Sequence, residues 1–197
     1  MWPWEHLVVG YLSYSLFVHA RYGRAPGAAP VVAVAFGTQF PDLVDKPLAW
    51  TLGLLPTGTS LAHSLFVALA LSGLAVAAGR AVDRPTVGLG FAAGYLSHLP
   101  ADVLYPLLVG REPAITFLLW PLVSQPPVEA GIGFGETVRV LFGKFAAAIA
   151  RPDAAGYLGA ELAALLVAAG VWVYDGLPPA RRLWRGWRRA RSTEDEP

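Results

Sequence analysis

Long apolar runs, broken by short clusters of arginine, glycine and proline, set the plan of this chain. From His6 to Val18 the residues are apolar or aromatic, and a helix is predicted from near Trp4 to before Gly23. Pro30 to Phe40 is a second apolar segment, with Pro41 expected to end it. It is short for a crossing, which takes about 20 residues, so tilting, re-entry or shielding by protein is expected. Asp42 to Ser60 is polar and rich in proline and glycine, and reads mostly as a loop. Leu61 to Gly79 is a strong span, Arg80 to Pro85 a turn, and Thr86 to Leu104 the next span. The long connection Tyr105 to Asp153 holds an apolar piece, Ile115 to Val123, interrupted by Pro121. Between Glu136 and Ala150, Val138, Leu141, Phe142, Phe145 and Ile149 recur at helical spacing, while Arg139 and Lys144 fall off that stripe. A helix lying on a membrane surface has this pattern. Gly156 to Tyr174 is the last span. No internal repeat is visible.

Composition turns these runs into a fold class. The chain is 55% hydrophobic and 15% charged, whereas a soluble domain is about a quarter charged. The expectation is an all-α integral membrane helical bundle, with about five membrane-embedded helices plus a surface amphipathic helix. Residues 1–176 form the embedded domain, and 177–197 a basic, then acidic, tail. The closing Ser-Thr-Glu-Asp-Glu-Pro is expected to be disordered. The N-terminal Met-Trp-Pro-Trp-Glu has no basic stretch, so no cleavable signal peptide is expected. Cysteine is absent, which excludes disulfides and thiolate metal sites.

Net charge is uninformative at +1, but its distribution is not. Six arginines fall between Arg181 and Arg191. With that tail cytoplasmic, alternating spans put Arg21, Arg24, Arg80 and Arg84 inside too, as positive-inside bias requires. Lys46, Arg111, Arg139, Lys144 and Arg151 are then spread over longer outer segments. Following a span directly, the Arg cluster with Trp184 and Trp187 points to anionic lipid, not nucleic acid. Trp2, Trp4, Trp50 and Trp120 fall on the outer side, as an aromatic belt would.

Depth then organises the ligand-type residues. His98 and Asp102 lie four apart, on one helix face. At helix rise from the inner arginine level, they stand about 21 and 27 Å up. The same count puts His63 at about 25 Å, His6 at about 22 Å and Asp42 at no more than about 27 Å. All five meet near the outer edge of a hydrocarbon layer about 30 Å thick. Three His and one or two Asp suit Zn²⁺, with Mn²⁺ or Fe²⁺ less exclusively. The bland alternative is a set of polar residues tying helix ends together. His19 falls near the inner end, on another face, and reads as interfacial.

Around this set, Asp42 is a ligand or the base that orients water, and Asp45 is a second catalytic candidate or a helix cap. Lys46 and Arg111 are candidate contacts to an anionic headgroup. Glu5 and Ser64 are candidates to support the flanking His6 and His63. Gly131 to Gly135 lacks the setting of a phosphate loop and reads as a flexible outer loop.

Several spaced motifs carry a resemblance. Glu5-His6 with Gly10, Phe40-Pro41-Asp42 with Asp45, Ala62-His63-Ser64, Gly94-Tyr95-Leu96-Ser97-His98 with Asp102, and Leu119-Trp120-Pro121 resemble the membrane-bound metal-dependent hydrolases (YdjM-like). The match covers roughly Met1 to Val123. The order His, Asp, His, His-x-x-x-Asp is also similar to zinc-dependent phospholipase C. The resemblance implies that His6, His63, His98 and Asp102 are ligands, and that Asp42 is a ligand or general base. No His follows His98, so the downstream ligands of the soluble enzymes are missing and one or two ions are implied.

The first functional reading is therefore a metal-dependent hydrolase acting on a phosphate ester or phosphodiester of a lipid at the outer membrane edge. The alternative is a non-catalytic metal-binding or structural membrane protein. Transport of metal or protons is disfavoured, because Leu65 to Gly79 and Val87 to Gly94 carry no ionisable residue. Membrane lipids are the expected partners.

Overall fold

The computed structural model describes residues 1–108, 110–123, 125–126, 133–151, 154–184, 187 and 191, and among these there are helices and no strand. In chain order they are α1 (Pro3–Tyr22), α2 (Ala28–Trp50), α3 (Leu65–Ala81), α4 (Pro85–Leu108), a 3-10 turn (Thr116–Leu119), α5 (Gly133–Ile149) and α6 (Ala155–Tyr174). The acidic end and part of the Gly131 to Gly135 stretch lie outside the described residues.

Local sequence sets several ends. Pro3 opens α1, where its missing N–H costs nothing. Gly23 closes it in the left-handed region at φ 62°, its N–H donating to the His19 carbonyl. Two expected boundaries differ. Pro41 does not end α2, which continues through Pro41 and Pro47 to Trp50. A buried helix tolerates this break when neighbours take up the freed carbonyls. The span expected from Leu61 begins at Leu65, and residues 61–64 form a turn before it.

Helix α4 is the hub, packed against α1, α2 and α3. Glycine makes the approach close. A Cβ on Gly37 would stand 2.3 Å from the Phe91 carbonyl oxygen, and one on Gly94 would stand 2.3 Å from that of Val34. The α2–α4 crossing is thus backbone on backbone, the packing that small residues permit where helices associate without a hydrophobic drive. Tyr95 and Leu99 of α4 pack with Ala68 beside this crossing, and Tyr14, Val18 and Val34 form a second cluster.

Helix α6 is long and apolar enough to cross a membrane by length and composition, and none of its residues is buried. Helix α3 is apolar but shorter. Polar contacts fasten both ends of α6. At one end Glu161 accepts from the Trp4 indole, and the Tyr157 hydroxyl donates to Glu5 at 2.7 Å. At the other, Asp175 accepts from Tyr11 at 2.6 Å and Ser15 at 2.7 Å, and pairs with His19 at 2.7 Å. Burial works to raise the Asp175 pKa, but the His19, Tyr11 and Ser15 contacts outweigh it and hold the carboxyl below the usual carboxylate range. The amphipathic segment expected from Glu136 to Ala150 is α5, whose Phe142 and Phe145 rest on Trp2.

Candidate metal centre

His98 and Asp102 lie one turn apart on α4, with His98 Nε2 3.2 Å from Asp102 Oδ2. His63 enters from the turn before α3, its Nε2 3.1 Å from His98 Nε2 and 3.5 Å from Asp102 Oδ2. Asp42 comes from the last two turns of α2, with Oδ1 3.4 Å from His63 Nε2 and 3.9 Å from His98 Nε2. His6 of α1 stacks on the His98 ring at 3.7 Å between centroids, and its Nε2 lies 3.3 Å from Asp102 Oδ1. The structure thus brings together the five residues that depth counting grouped. All three imidazoles are buried.

The tautomers follow from what stands behind each ring. His63 Nδ1 faces the Asp45 carboxylate at 2.8 Å, which can only accept, so Nδ1 carries the proton. His98 Nδ1 likewise donates to the Thr38 carbonyl at 2.7 Å. With both Nδ1 atoms so committed, both Nε2 lone pairs point at each other and at two carboxylate oxygens.

Four acceptors meeting without a donor repel one another in a low-dielectric interior. Either one imidazole takes up a proton or a cation sits among them. Two sets of ligand atoms lie within 4.8 Å of one another, His6 with His98 and Asp102, and Asp42 with His63 and His98. In addition, both ring nitrogens of His6 are buried without a hydrogen-bond partner among the described residues. At 3.3 Å its Nε2 is near Asp102 but not aligned for a hydrogen bond. A buried polar atom without a partner costs about 1–3 kcal/mol, and as a lone pair His6 Nε2 is a further donor to a cation. The donor set, nitrogen and carboxylate oxygen without sulfur, fits a divalent transition ion such as Zn²⁺. The Met1 amino group lies 2.9 Å from Asp102 Oδ1.

Other expected roles come out differently. Asp45 does not face the centre. One oxygen accepts from Ala62 N at 2.8 Å, the other from Ser60 N at 2.7 Å, His63 N at 3.2 Å and His63 Nδ1. It shapes the 60–63 turn and holds the His63 ring from the side away from the other imidazoles. Glu5 accepts from the Trp2 N–H and from Tyr157, so it caps α1 and fastens α6, and among the described residues it makes no hydrogen bond to a cluster histidine. Ser64 donates to the Trp120 carbonyl at 2.6 Å, tying the turn to the Leu119-Trp120-Pro121 segment instead of orienting His63. Lys46 pairs with Asp42 Oδ2 one turn away and lies over Trp50. Arg111 lines the cleft that adjoins Asp42. Sequence reasoning missed Thr38, whose side chain is unremarkable and whose contribution is a carbonyl. No feature of the sequence marks it. It also missed that His19 joins Tyr11 and Ser15 on Asp175, since 156 residues separate the ion pair.

Comparison with known proteins gives a match to a family model described as YdjM inner membrane protein, over residues 1–177. No curated protein and no solved structure matches the chain.

Proposed function

The chain belongs to the YdjM inner membrane protein family, and from that premise we propose that it is a membrane-embedded metal-dependent hydrolase acting on a phosphate ester or phosphodiester of a lipid. The observation that carries the reading is the meeting of His63 Nε2, His98 Nε2, Asp42 Oδ1 and Asp102 Oδ2 with both imidazole Nδ1 atoms committed elsewhere. Zn²⁺ is the ion of choice, and Mn²⁺ or Fe²⁺ satisfies the same donors. One ion is the stoichiometry the donors support, because both candidate ligand sets need the single free nitrogen of His98.

The residues divide the work. A divalent ion held there would supply Lewis acidity toward a phosphoryl oxygen and acidify a water. Asp45 and Thr38 hold the two imidazoles in one tautomer, which keeps both Nε2 lone pairs available. Lys46 holds Asp42 Oδ2 and thereby turns Oδ1 toward the centre, where it serves as ligand or accepts a proton from water. Lys46 and Arg111 meet the anionic headgroup. About five helices are embedded. The basic tail is cytoplasmic and the centre faces the other side, as the arginine distribution argues.

Elemental analysis of purified protein, paired with a hydrolysis screen on phospholipids and model phosphodiesters, tests this. The expected result is one ion per chain and a turnover that His98→Ala abolishes together with the ion. Unchanged metal content in a His63→Ala, His98→Ala protein would end the metal reading. A tightly bound ion with no turnover on any ester would leave the non-catalytic alternative.

A further inference from the structure

Beside the centre, between the end of α2, the N-terminal residues and α5, lies a cleft of about 890 Å³. This is within the usual size of a small-molecule site. Leu141 and Phe142 of α5 give the cleft an apolar lining. Lys46 of α2, Arg111 from the segment after α4, Lys144 of α5 and Arg151 just past its end line it too, and among the described residues Asp42 is the one carboxylate lining it. Of Lys46, Arg111, Arg139, Lys144 and Arg151, Arg139 alone does not line it, and it is already paired with Glu136. Asp42 neutralises Lys46. Arg111 and Lys144 have no carboxylate partner among the described residues. Apolar side chains beside this excess of cations, Arg111 and Lys144, select an amphiphile with an anionic head.

We propose that the cleft binds a lipid whose headgroup is a terminal phosphate monoester, its chains running along the apolar side of α5. The proposal rests on the hydrolase reading above for what happens at the centre, and on the cleft alone for binding. A phosphate monoester carries nearly two negative charges at neutral pH, which the excess of cations answers. A zwitterionic diester fits less well, because it brings an ammonium into a cleft lined by Arg111 and Lys144. Hydrolysis of such a lipid forms one P–O bond to water and breaks the P–O bond to the lipid. A water proton passes to the lipid alcohol, and inorganic phosphate leaves.

The test is binding without metal. Full-length protein in detergent, stripped with EDTA, is titrated with dihexanoyl phosphatidic acid, dihexanoyl phosphatidylcholine and inorganic phosphate. Phosphatidic acid should bind at least about tenfold more tightly than either other probe, the size expected of charge-assisted phosphate contacts. Arg111→Gln with Lys144→Gln should remove that advantage at an unchanged size-exclusion profile, and Lys144→Arg should retain it. Equal affinity for the two lipids would overturn the headgroup assignment. Inorganic phosphate binding as tightly as phosphatidic acid would overturn the lipid assignment. Because metal is absent throughout, a protein that holds no ion and hydrolyses nothing can still pass, so the two proposals fail separately.

Discussion

Replacing Asp45 by asparagine separates a positioning role from a catalytic one. Its carboxylate gathers four donors, three on one oxygen and Ala62 N on the other. Asparagine keeps one acceptor. With its carbonyl oxygen toward the three donors, its NH₂ confronts the Ala62 N–H, so one hydrogen bond to a charged group is lost, worth about 1.5–3 kcal/mol. The three remaining bonds lose their charge assistance as well. His63 is then less firmly held, and losing a carboxylate behind a metal-binding imidazole lowers affinity about 10–100-fold, or roughly 1.4–2.8 kcal/mol. Competition against a fluorescent chelator measures this in the wild type, Asp45→Asn and Asp42→Asn. Asp45→Asn should bind Zn²⁺ about 10–100-fold more weakly, and Asp42→Asn, which loses a facing oxygen, at least as weakly. Turnover of Asp45→Asn should recover as Zn²⁺ is raised. Wild-type Zn²⁺ affinity with turnover lost and not recovered would mean that Asp45 acts on substrate, and would refute the assignment.

Three further outcomes follow from the packing and the charges. Gly37→Ala places its Cβ against a backbone oxygen that cannot step aside and should destabilise the protein by about 1–3 kcal/mol or more, whereas Gly73→Ala, with open space around it, should be neutral or slightly stabilising in thermal unfolding. Zn²⁺ at a hundredfold over its Kd should stabilise by about 2.7 kcal/mol and raise Tm by roughly 5–10 °C, and EDTA should reverse the shift in wild type but leave His98→Ala unmoved. The Asp175 carboxyl titrates lower folded than unfolded, so its contribution is complete above the unfolded pKa, about 3.9, and is lost as pH falls through the folded value; the acid limb of a stability profile should flatten in Asp175→Asn, and an unchanged limb would remove Asp175 from its cause.

The sequence alone made the helices legible where the signal is local. Gly23 and the Arg80 to Pro85 break mark helix ends because turn chemistry acts within a few residues. It also grouped His6, Asp42, His63, His98 and Asp102, since depth along a helix is fixed by a constant rise per residue. That count tolerated its own local errors. Asp42 is on a helix and not at a loop's start, and His63 is in a turn and not on a helix, yet both lie beside His98.

What the sequence left open depended on azimuth and on partners far along the chain. Pro41 reads as a helix stop by its own chemistry, and only the packing of α2 on α4 through Gly37 and Gly94 makes continuation the better state. Whether Asp45 faces the centre or stands behind it turns on the 60–63 turn, whose N–H groups have no side-chain signature. Glu5 beside His6 and Ser64 beside His63 look like support by adjacency, but Glu5 and His6 point about 100° apart on their helix, Ser64 follows His63 in a turn, and each serves a different contact. Residue type and depth are properties of the chain, and they determined which side chains meet. Direction is a property of the assembled helices, and tertiary structure alone decided that His63 and His98 turn their unprotonated nitrogens toward Asp42 and Asp102.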